Sequence, residues 1–191
     1  MLLGLTLAPV GWTAAAGGGM TGHMAGHMLA VAVAAPLLAW GLGGTRWDAA
    51  GRWPRLVTPL AMSVAELVVV WGWHLPAARA LAGASLAALV AEQAMFLTAG
   101  LLLWTAVLGA GAERRAAGVG ALLLTSMHMT LLGALIALAP RPLYTSMAHG
   151  LDSLDDQQLG GVVMLLVGAG SYLIGGLAML STILSDPERQ A

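Results

Sequence analysis

Histidine and methionine recur at helical spacing near the start of the chain. His23 and His27 are four residues apart, and so are Met24 and Met28. Residues four apart are neighbours on one face of a helix, so this stretch offers two imidazoles beside two thioethers. Thioether and imidazole ligands without thiolate suit Cu(I) better than Mg²⁺ or Ca²⁺, which prefer oxygen. The spacing predicts a Cu(I) site, against the alternative that the methionines fill apolar space and the histidines cap a helix end.

A second group of the same residue types is Met127-His128-Met129. Three consecutive residues spread around a helix, so at most one methionine can lie beside His128. His128 would lie about 15 Å inside its span, where an ionisable side chain indicates a functional site by default. Glu92, about 12 Å inside its own span, and Glu66 would share this deeper layer. A neutral His128 hydrogen-bonded across helices is the alternative, as is a protonated Glu66 that joins two helices.

His74 and Asp156 are predicted to share an outer layer with His23 and His27. His74 follows tryptophans and precedes Pro76, an arrangement typical of a membrane-interface anchor at a helix end. Its candidacy as a ligand therefore depends on the neighbouring histidines. The two layers together would form a row of polar side chains that is open to the outside, and residues 156–158, Asp-Gln-Gln, would place three side-chain oxygens at its outer end. The alternative is that the acidic residues only stabilise a helix N-terminus.

The composition indicates a membrane protein. Of 191 residues, 59% are hydrophobic and only 9% are charged, whereas soluble proteins have about 25% charged residues. The net charge of −1 and the absence of a basic run exclude nucleic acid as an expected partner. The chain has no cysteine, which excludes disulfides, iron–sulfur clusters and thiolate metal sites. Motifs of hydrolases and kinases are also absent, so we expect no enzyme.

Five stretches are long and apolar enough to span a bilayer. They are roughly residues 24–43, 56–75, 84–110, 118–138 and 160–184. The predicted fold class is an all-α, polytopic membrane helix bundle (residues 20–185) of five long spans, with a cytoplasmic tail (186–191). Residues 1–19 form an N-terminal apolar segment, either a sixth helix or a signal peptide, and the missing positive n-region favours the helix. Gly161, Gly168 and Gly175 predict close helix packing.

The arginines predict the orientation of the bundle. With alternate loops assigned to opposite sides, one side receives Arg46, Arg52, Arg55, Arg114, Arg115 and Arg189, and the other receives Arg79 and Arg141. The arginine-rich side is expected in the cytoplasm. The C-terminus would then be cytoplasmic in a bacterial inner membrane, and the metal site would face the periplasm.

Five motifs resemble, in order, the CtaG-type integral-membrane cytochrome c oxidase assembly factors. They are His23-Met24-x-x-His27, Trp73-His74-Leu75-Pro76, Met127-His128-Met129-Thr130-Leu131-Leu132-Gly133, Ala139-Pro140-Arg141-Pro142-Leu143-Tyr144 and Asp156-Gln157-Gln158-Leu159-Gly160-Gly161. The resemblance covers about residues 20–185. It implies a non-enzymatic protein that matures haem–copper oxidases and handles copper. The family usually has Glu-His in the third span, where this chain has Glu92-Gln93, so one expected imidazole is an amide.

The leading hypothesis is a copper-handling membrane protein with haem–copper oxidase subunits, periplasmic copper chaperones and the lipid bilayer as partners. The candidate metal ligands are His23, Met24, His27, Met28 and His74 in the outer layer, His128, Met127, Met129 and Glu92 in the deeper one, and Asp156 at the outer end of the row of polar side chains. One alternative is a b-type cytochrome with His74 and His128 as haem ligands, although their expected depths differ. Another is a proton-coupled transporter with Glu66, Glu92 and His128 as a relay. The oligomeric state stays open.

Overall fold

The computed structural model describes residues 19–111, 114–144 and 153–185, and every regular element in these ranges is a helix. The helices are α1 (Gly19–Leu42), α2 (Ala49–Arg52), α3 (Pro59–Trp73), α4 (Pro76–Ala84), α5 (Leu86–Leu108), α6 (Arg115–Ala137) and α7 (Ser153–Leu184). The predicted all-α class is confirmed. The N-terminal helix or signal peptide and the cytoplasmic tail fall outside these ranges, apart from Gly19.

The predicted polytopic bundle is also confirmed. Helices α1, α5, α6 and α7 are long and apolar enough to cross a membrane, and α3 with α4 forms a fifth candidate span bent by 71°. Two boundaries differ from the prediction. The expected loop at 76–85 is largely helical, because Pro76 is suited to the first turn of α4. The last span begins at Ser153 rather than near 160, so the acidic residues lie in its first turn.

The long helices form a closed ring in the order α1, α5, α3, α6 and α7. Each packs against its two neighbours in this order, and α4 folds against α5. The interior contains the main apolar cluster together with buried polar side chains. Because α3 and α6 lie across the ring from α1, a side chain near the start of α1 can meet one at the end of α3.

Helix α1 contains a π-helical turn, Leu29–Ala34, just before Pro36. A proline within a helix has no N–H and its ring clashes with the carbonyl four residues earlier, here that of Ala32. The wider turn relieves this conflict and leaves the carbonyl available to other helices. Ser171 Oγ donates to the Ala32 oxygen at 3.1 Å, and Trp104 Nε1 donates to the Val31 oxygen at 3.2 Å. The irregular turn therefore joins α1 to α7 and α5.

The arginine-rich loops meet at one end of the bundle. Arg114 Nη1 donates to the backbone oxygen of Pro54 at 2.8 Å, which joins the segment before α6 to the segment between α2 and α3. Nearby, Arg46 and Arg52 lie over the rings of the exposed Trp47 and Trp53. His23 lies at the opposite end of α1 from this arginine-rich end.

The glycines of α7 allow close helix packing, as their spacing predicts. A β-carbon at Gly161 would lie 2.5 Å from the backbone nitrogen of Ala137, and one at Gly175 would lie 2.7 Å from Trp104 Cη2. At Gly168 the nearest atom would be the sulfur of Met28, at 2.8 Å. Each position lies against a different helix, so α7 contacts α6, α5 and α1 through small residues.

We expect Gly161→Ala to destabilise the bundle by about 1–3 kcal/mol, because the methyl group would press on backbone that cannot rotate away. Gly170→Ala is the matched control, since a β-carbon there meets no atom within 4 Å. That variant should be neutral or stabilising by up to about 1 kcal/mol, because alanine favours helix over glycine. Thermal unfolding midpoints in detergent measure both effects, and equal shifts would contradict the packing argument.

Candidate metal centre

Three histidines from two helices meet inside the bundle. His23 and His27 lie one turn apart on α1, and His74 directly follows the last residue of α3. All three side chains are buried, and each offers a ring nitrogen within 4.8 Å of the others. Their ring centroids are 5.2 Å apart for His23 and His74 and 5.3 Å apart for His27 and His74. We call these three residues the histidine centre.

Hydrogen bonds fix the orientation of His74. Its Nδ1 donates to the Val70 backbone oxygen at 2.6 Å, since a carbonyl can only accept. A neutral ring protonated at Nδ1 has its lone pair on Nε2, which lies 3.4 Å from Nε2 of His23. Tyr144 donates its hydroxyl to the His74 backbone oxygen at 2.8 Å, and burial raises the pKa of Tyr144 to about 12. The tyrosine therefore stays a donor and holds the end of α3.

A carboxylate on α5 faces the other nitrogen of His23. Nδ1 of His23 lies 3.5 Å from Oε2 of Glu92, whose Oε1 accepts from Nη1 of Arg79. Gln93 Nε2 also donates to Glu92 at 3.4 Å. A carboxylate beside one imidazole nitrogen favours the proton there and leaves the lone pair on the other nitrogen, as in second-shell metal sites. With its proton on Nε2 instead, His23 can donate it to Nε2 of His74 at 3.4 Å, so the tautomer of His23 decides whether these two nitrogens share a hydrogen bond or present two lone pairs.

His27 is buried without any hydrogen-bond partner for either ring nitrogen among the described residues. Its ring stacks on Phe96, with centroids 4.0 Å apart and an interplanar angle of 16°. Phe96 also lies within 5.9 Å of the rings of His23 and His74, centroid to centroid. A buried polar group without a partner costs about 1–3 kcal/mol, so His27 is a strained feature unless a ligand occupies the centre.

The spacing of the ring nitrogens fits a metal ion. Nitrogens bound about 2.0 Å from one ion in a trigonal plane lie about 3.5 Å apart. The 3.4 Å between His23 and His74 already matches this value. The wider limit of 4.8 Å for the whole set requires only a small ring movement of His27. The arrangement can therefore hold one transition-metal ion through neutral imidazoles.

Two methionines of α1 pack against α7. Met20 packs against Gly160 and Met28 against Gly168, both on α7. Met24 lies between them on the same stripe of α1 and is fully buried. The histidine stripe of α1 instead faces α3 and α5. The two stripes are side by side in sequence, but they contact different helices.

The second predicted group separates as its helical spacing requires. Met127 is 64% exposed on the outside of the bundle, whereas Met129 is fully buried near Gly168. His128 is buried, and neither ring nitrogen has a hydrogen-bond partner in the described part of the chain. It lies outside the histidine centre.

Glu92 lies at a different depth from the one that the sequence predicts. Glu92 lies beside His23 in the outer layer instead of the deeper one, because α5 begins at Leu86, two residues later than expected. Glu66 is also not beside the histidines. Its Oε1 accepts a hydrogen bond from the Tyr172 hydroxyl at 2.5 Å, which joins α3 to α7. This is the geometry of an interhelical link.

Asp156 caps the start of α1. Its carboxylate accepts from the backbone N–H groups of Met20 at 2.6 Å and Thr21 at 3.1 Å, at the start of α1. An acidic side chain there satisfies N–H groups that have no partner within the helix. Gln157 accepts from the Leu143 N–H at 2.6 Å. These contacts position α1, and no described contact joins Asp156 to the histidine centre.

The sequence-based prediction missed Arg79 and Phe96. Arg79 was assigned to an outer loop, but it is buried on α4 and pairs with Glu92. One signal was present for Phe96, which lies four residues after Glu92 and so on the same helical face. For Arg79 the signal was weaker, because a single arginine between two apolar segments is usually counted as a loop charge.

A comparison with protein families matches residues 1–186 to the model described as cytochrome c oxidase caa3 assembly factor (Caa3_CtaG). The matched region contains α1 to α7 and every residue of the histidine centre. No curated protein and no solved structure matches the chain. The family therefore rests on the sequence pattern, and the fold on the structure described above.

Proposed function

We propose, because this chain belongs to the cytochrome c oxidase caa3 assembly factor family, that it holds Cu(I) at the histidine centre as cargo for the copper site of a haem–copper oxidase. His23, His27 and His74 would be the ligands. The protein would act by handling the ion and not by catalysing a reaction. Oxidase subunits would receive the copper, and a periplasmic copper chaperone is a suitable source.

The observation that carries this proposal is His27, which has no hydrogen-bond partner among the described residues and lies beside two other buried histidines with ring nitrogens within 4.8 Å. Nε2 of His23 and Nε2 of His74 lie 3.4 Å apart, close to the spacing of two nitrogens bound to one ion, and a metal would replace the hydrogen bond that they can share. His27 adds a third nitrogen, which has no hydrogen-bond partner among the described residues. One ion satisfies all three groups, which removes the cost of burying them.

The donor set favours Cu(I). Imidazole suits Zn, Cu, Fe and Ni, and a Zn²⁺ ion held by three histidines completes its coordination with a water molecule. Here three neutral nitrogens face one point, and the adjacent carboxylate is paired with Arg79. A three-coordinate neutral site satisfies a monovalent soft ion without a fourth ligand. The absence of cysteine keeps a redox-active ion away from oxidisable thiols.

The proposed side of entry is the periplasm. The arginine-rich loops lie at the end of the bundle away from His23, and arginine-rich loops are typically cytoplasmic. The protein would then be a multi-pass protein of the bacterial inner membrane with a cytoplasmic C-terminus. His128, buried with two unpartnered nitrogens, is a suitable next contact for an ion leaving toward an oxidase within the bilayer.

An anaerobic Cu(I) titration of the detergent-purified chain against a chromophoric competitor tests the proposal. We expect one tightly bound ion per chain and, by X-ray absorption, nitrogen neighbours at about 2.0 Å without sulfur. Binding no stronger than the detergent blank would overturn the proposed function. A sulfur neighbour would still show copper binding, but it would overturn the three-histidine site in favour of a ligand set that includes Met24 or Met28.

A further inference from the structure

Arg79 places a fixed positive charge beside the histidine centre. We infer that Arg79 is a specificity-determining residue, which makes the centre select a monovalent over a divalent cation by cancelling the charge of Glu92. The inference rests on the proposed function, because it concerns the same site. It assigns a role to a side chain that touches no ligand nitrogen.

The contacts place Arg79 inside the bundle. It lies one turn into α4, and the 71° bend between α3 and α4 directs this helix against α5. Its side chain is 2% exposed and pairs with the fully buried Glu92. Glu92 in turn lies 3.5 Å from His23. The pair is therefore attached directly to one of the proposed ligands.

The pair of Arg79 and Glu92 adds no net charge beside the centre. Among the described residues, Glu92 is the carboxylate in contact with a histidine of the centre, 3.5 Å from Nδ1 of His23, and Arg79 is the cation paired with it. Three neutral imidazoles add no charge. A bound Cu(I) would leave a net charge of one, and a bound Zn²⁺ would leave a net charge of two.

The difference matters because the site is buried. The cost of moving an ion from water into a low-dielectric interior scales with the square of its charge, so a divalent ion pays about four times the penalty of a monovalent one. A neighbouring carboxylate would normally offset that penalty and could also ligate Zn²⁺ through oxygen. Glu92 is placed to offset the penalty through its charge, although it lies at Nδ1 of His23 rather than at the ligand nitrogen, and that charge is paired with Arg79.

A purely structural Arg79 predicts a different outcome. If it serves only to hold α4 against α5, its loss would weaken the binding of every metal equally. A charge role instead changes the ratio of two affinities, which a general loss of structure does not change. Arg79→Lys and the double variant Arg79→Gln with Glu92→Gln separate the two, because both keep the net charge of the pair at zero.

The test measures Cu(I) and Zn²⁺ dissociation constants for the purified full chain by competition titration. We expect Arg79→Gln to lower the preference for Cu(I) over Zn²⁺ at least tenfold, mainly through tighter Zn²⁺ binding. Arg79→Lys and the double variant should keep the wild-type preference within threefold, even where both affinities fall. Gel filtration and thermal midpoints with zinc-free protein identify variants that do not fold.

The outcomes distinguish this inference from the proposed function. Wild-type protein that binds no Cu(I) overturns the proposed function, and this inference with it. Wild-type protein that binds Cu(I), with the same preference in Arg79→Gln, overturns the inference alone. If Arg79→Gln does not fold, Glu92→Gln supplies the reverse test, because the uncompensated Arg79 should disfavour Zn²⁺ more than Cu(I). An unchanged preference in that variant also overturns the inference.

Discussion

Replacing His27 by alanine is expected to weaken Cu(I) binding by at least about 100-fold. Loss of a partner that only orients a ligand costs 10–100-fold in metal affinity, and the loss of a direct ligand should reach the upper end. His27 is the best of the three positions for this test, because its nitrogens have no hydrogen bonds to lose among the described residues. A drop in affinity therefore reports the missing ligand rather than broken structure. Anaerobic competition titration measures it.

His128→Ala is the matched control for this variant. His128 is also a buried histidine with two unpartnered nitrogens, but it lies outside the histidine centre. We expect its replacement to leave the Cu(I) affinity within about threefold of wild type, well under the cost of losing a ligand partner. Equal losses in the two variants would extend the centre to α6. Wild-type affinity in His27→Ala would show that the ligands lie elsewhere.

The meeting of His23 and His27 with His74 could be predicted in part from the sequence. Spacing of four residues puts the first two on one helical face, and counting arginines puts the start of α1 and the end of α3 on the same side of a membrane. These two arguments need only helix geometry and chain direction. Neither gives the rotation of a helix about its own axis. For that reason the prediction could not separate the histidine stripe from the neighbouring methionine stripe.

Arg79 and the exact depth of Glu92 depend on features that spacing does not contain. The bend of 71° after Trp73 turns α4 inward, and with it an arginine that a loop would have left in water. Helix α5 begins at Leu86, two residues later than expected. Glu92 therefore lies about 3 Å nearer the outer end of the helix than the sequence predicted. Both depend on tertiary packing. A local pattern of apolar residues is compatible with either a loop or a folded-back helix.

The contacts of Glu66 also depend on tertiary packing. Glu66 lies two helical turns before His74 on about the same face, which predicts either a cavity shared with His74 or a link between helices. The hydrogen bond from Tyr172 places it in a network with α7, which also reaches the Val31 carbonyl freed by the π-helical turn. No described hydrogen bond continues from Glu66 to Glu92 or His128. Among the described residues, the polar interior is therefore divided into the histidine centre and a separate interhelical contact.

The buried pair of Arg79 and Glu92 should have the largest effect on stability. We expect Glu92→Met alone, or Arg79→Met alone, to lower the free energy of unfolding by about 3–5 kcal/mol, because each leaves one buried charge without its partner. The double variant should lose much less, since apolar side chains of similar volume often replace a buried ion pair at little cost. Arg46→Met is a control within about 0.5 kcal/mol, because Arg46 is exposed.

Denaturant titrations in detergent measure these differences as a double-mutant cycle. Single losses that add up in the double variant would contradict a coupled pair. The expected recovery of stability also makes a second measurement informative, because the double variant lacks the carboxylate that orients His23. Its Cu(I) affinity should stay about 10–100-fold below wild type although its fold is restored. Stability and metal affinity would then separate, as expected if the ion pair is kept for the centre rather than for the fold.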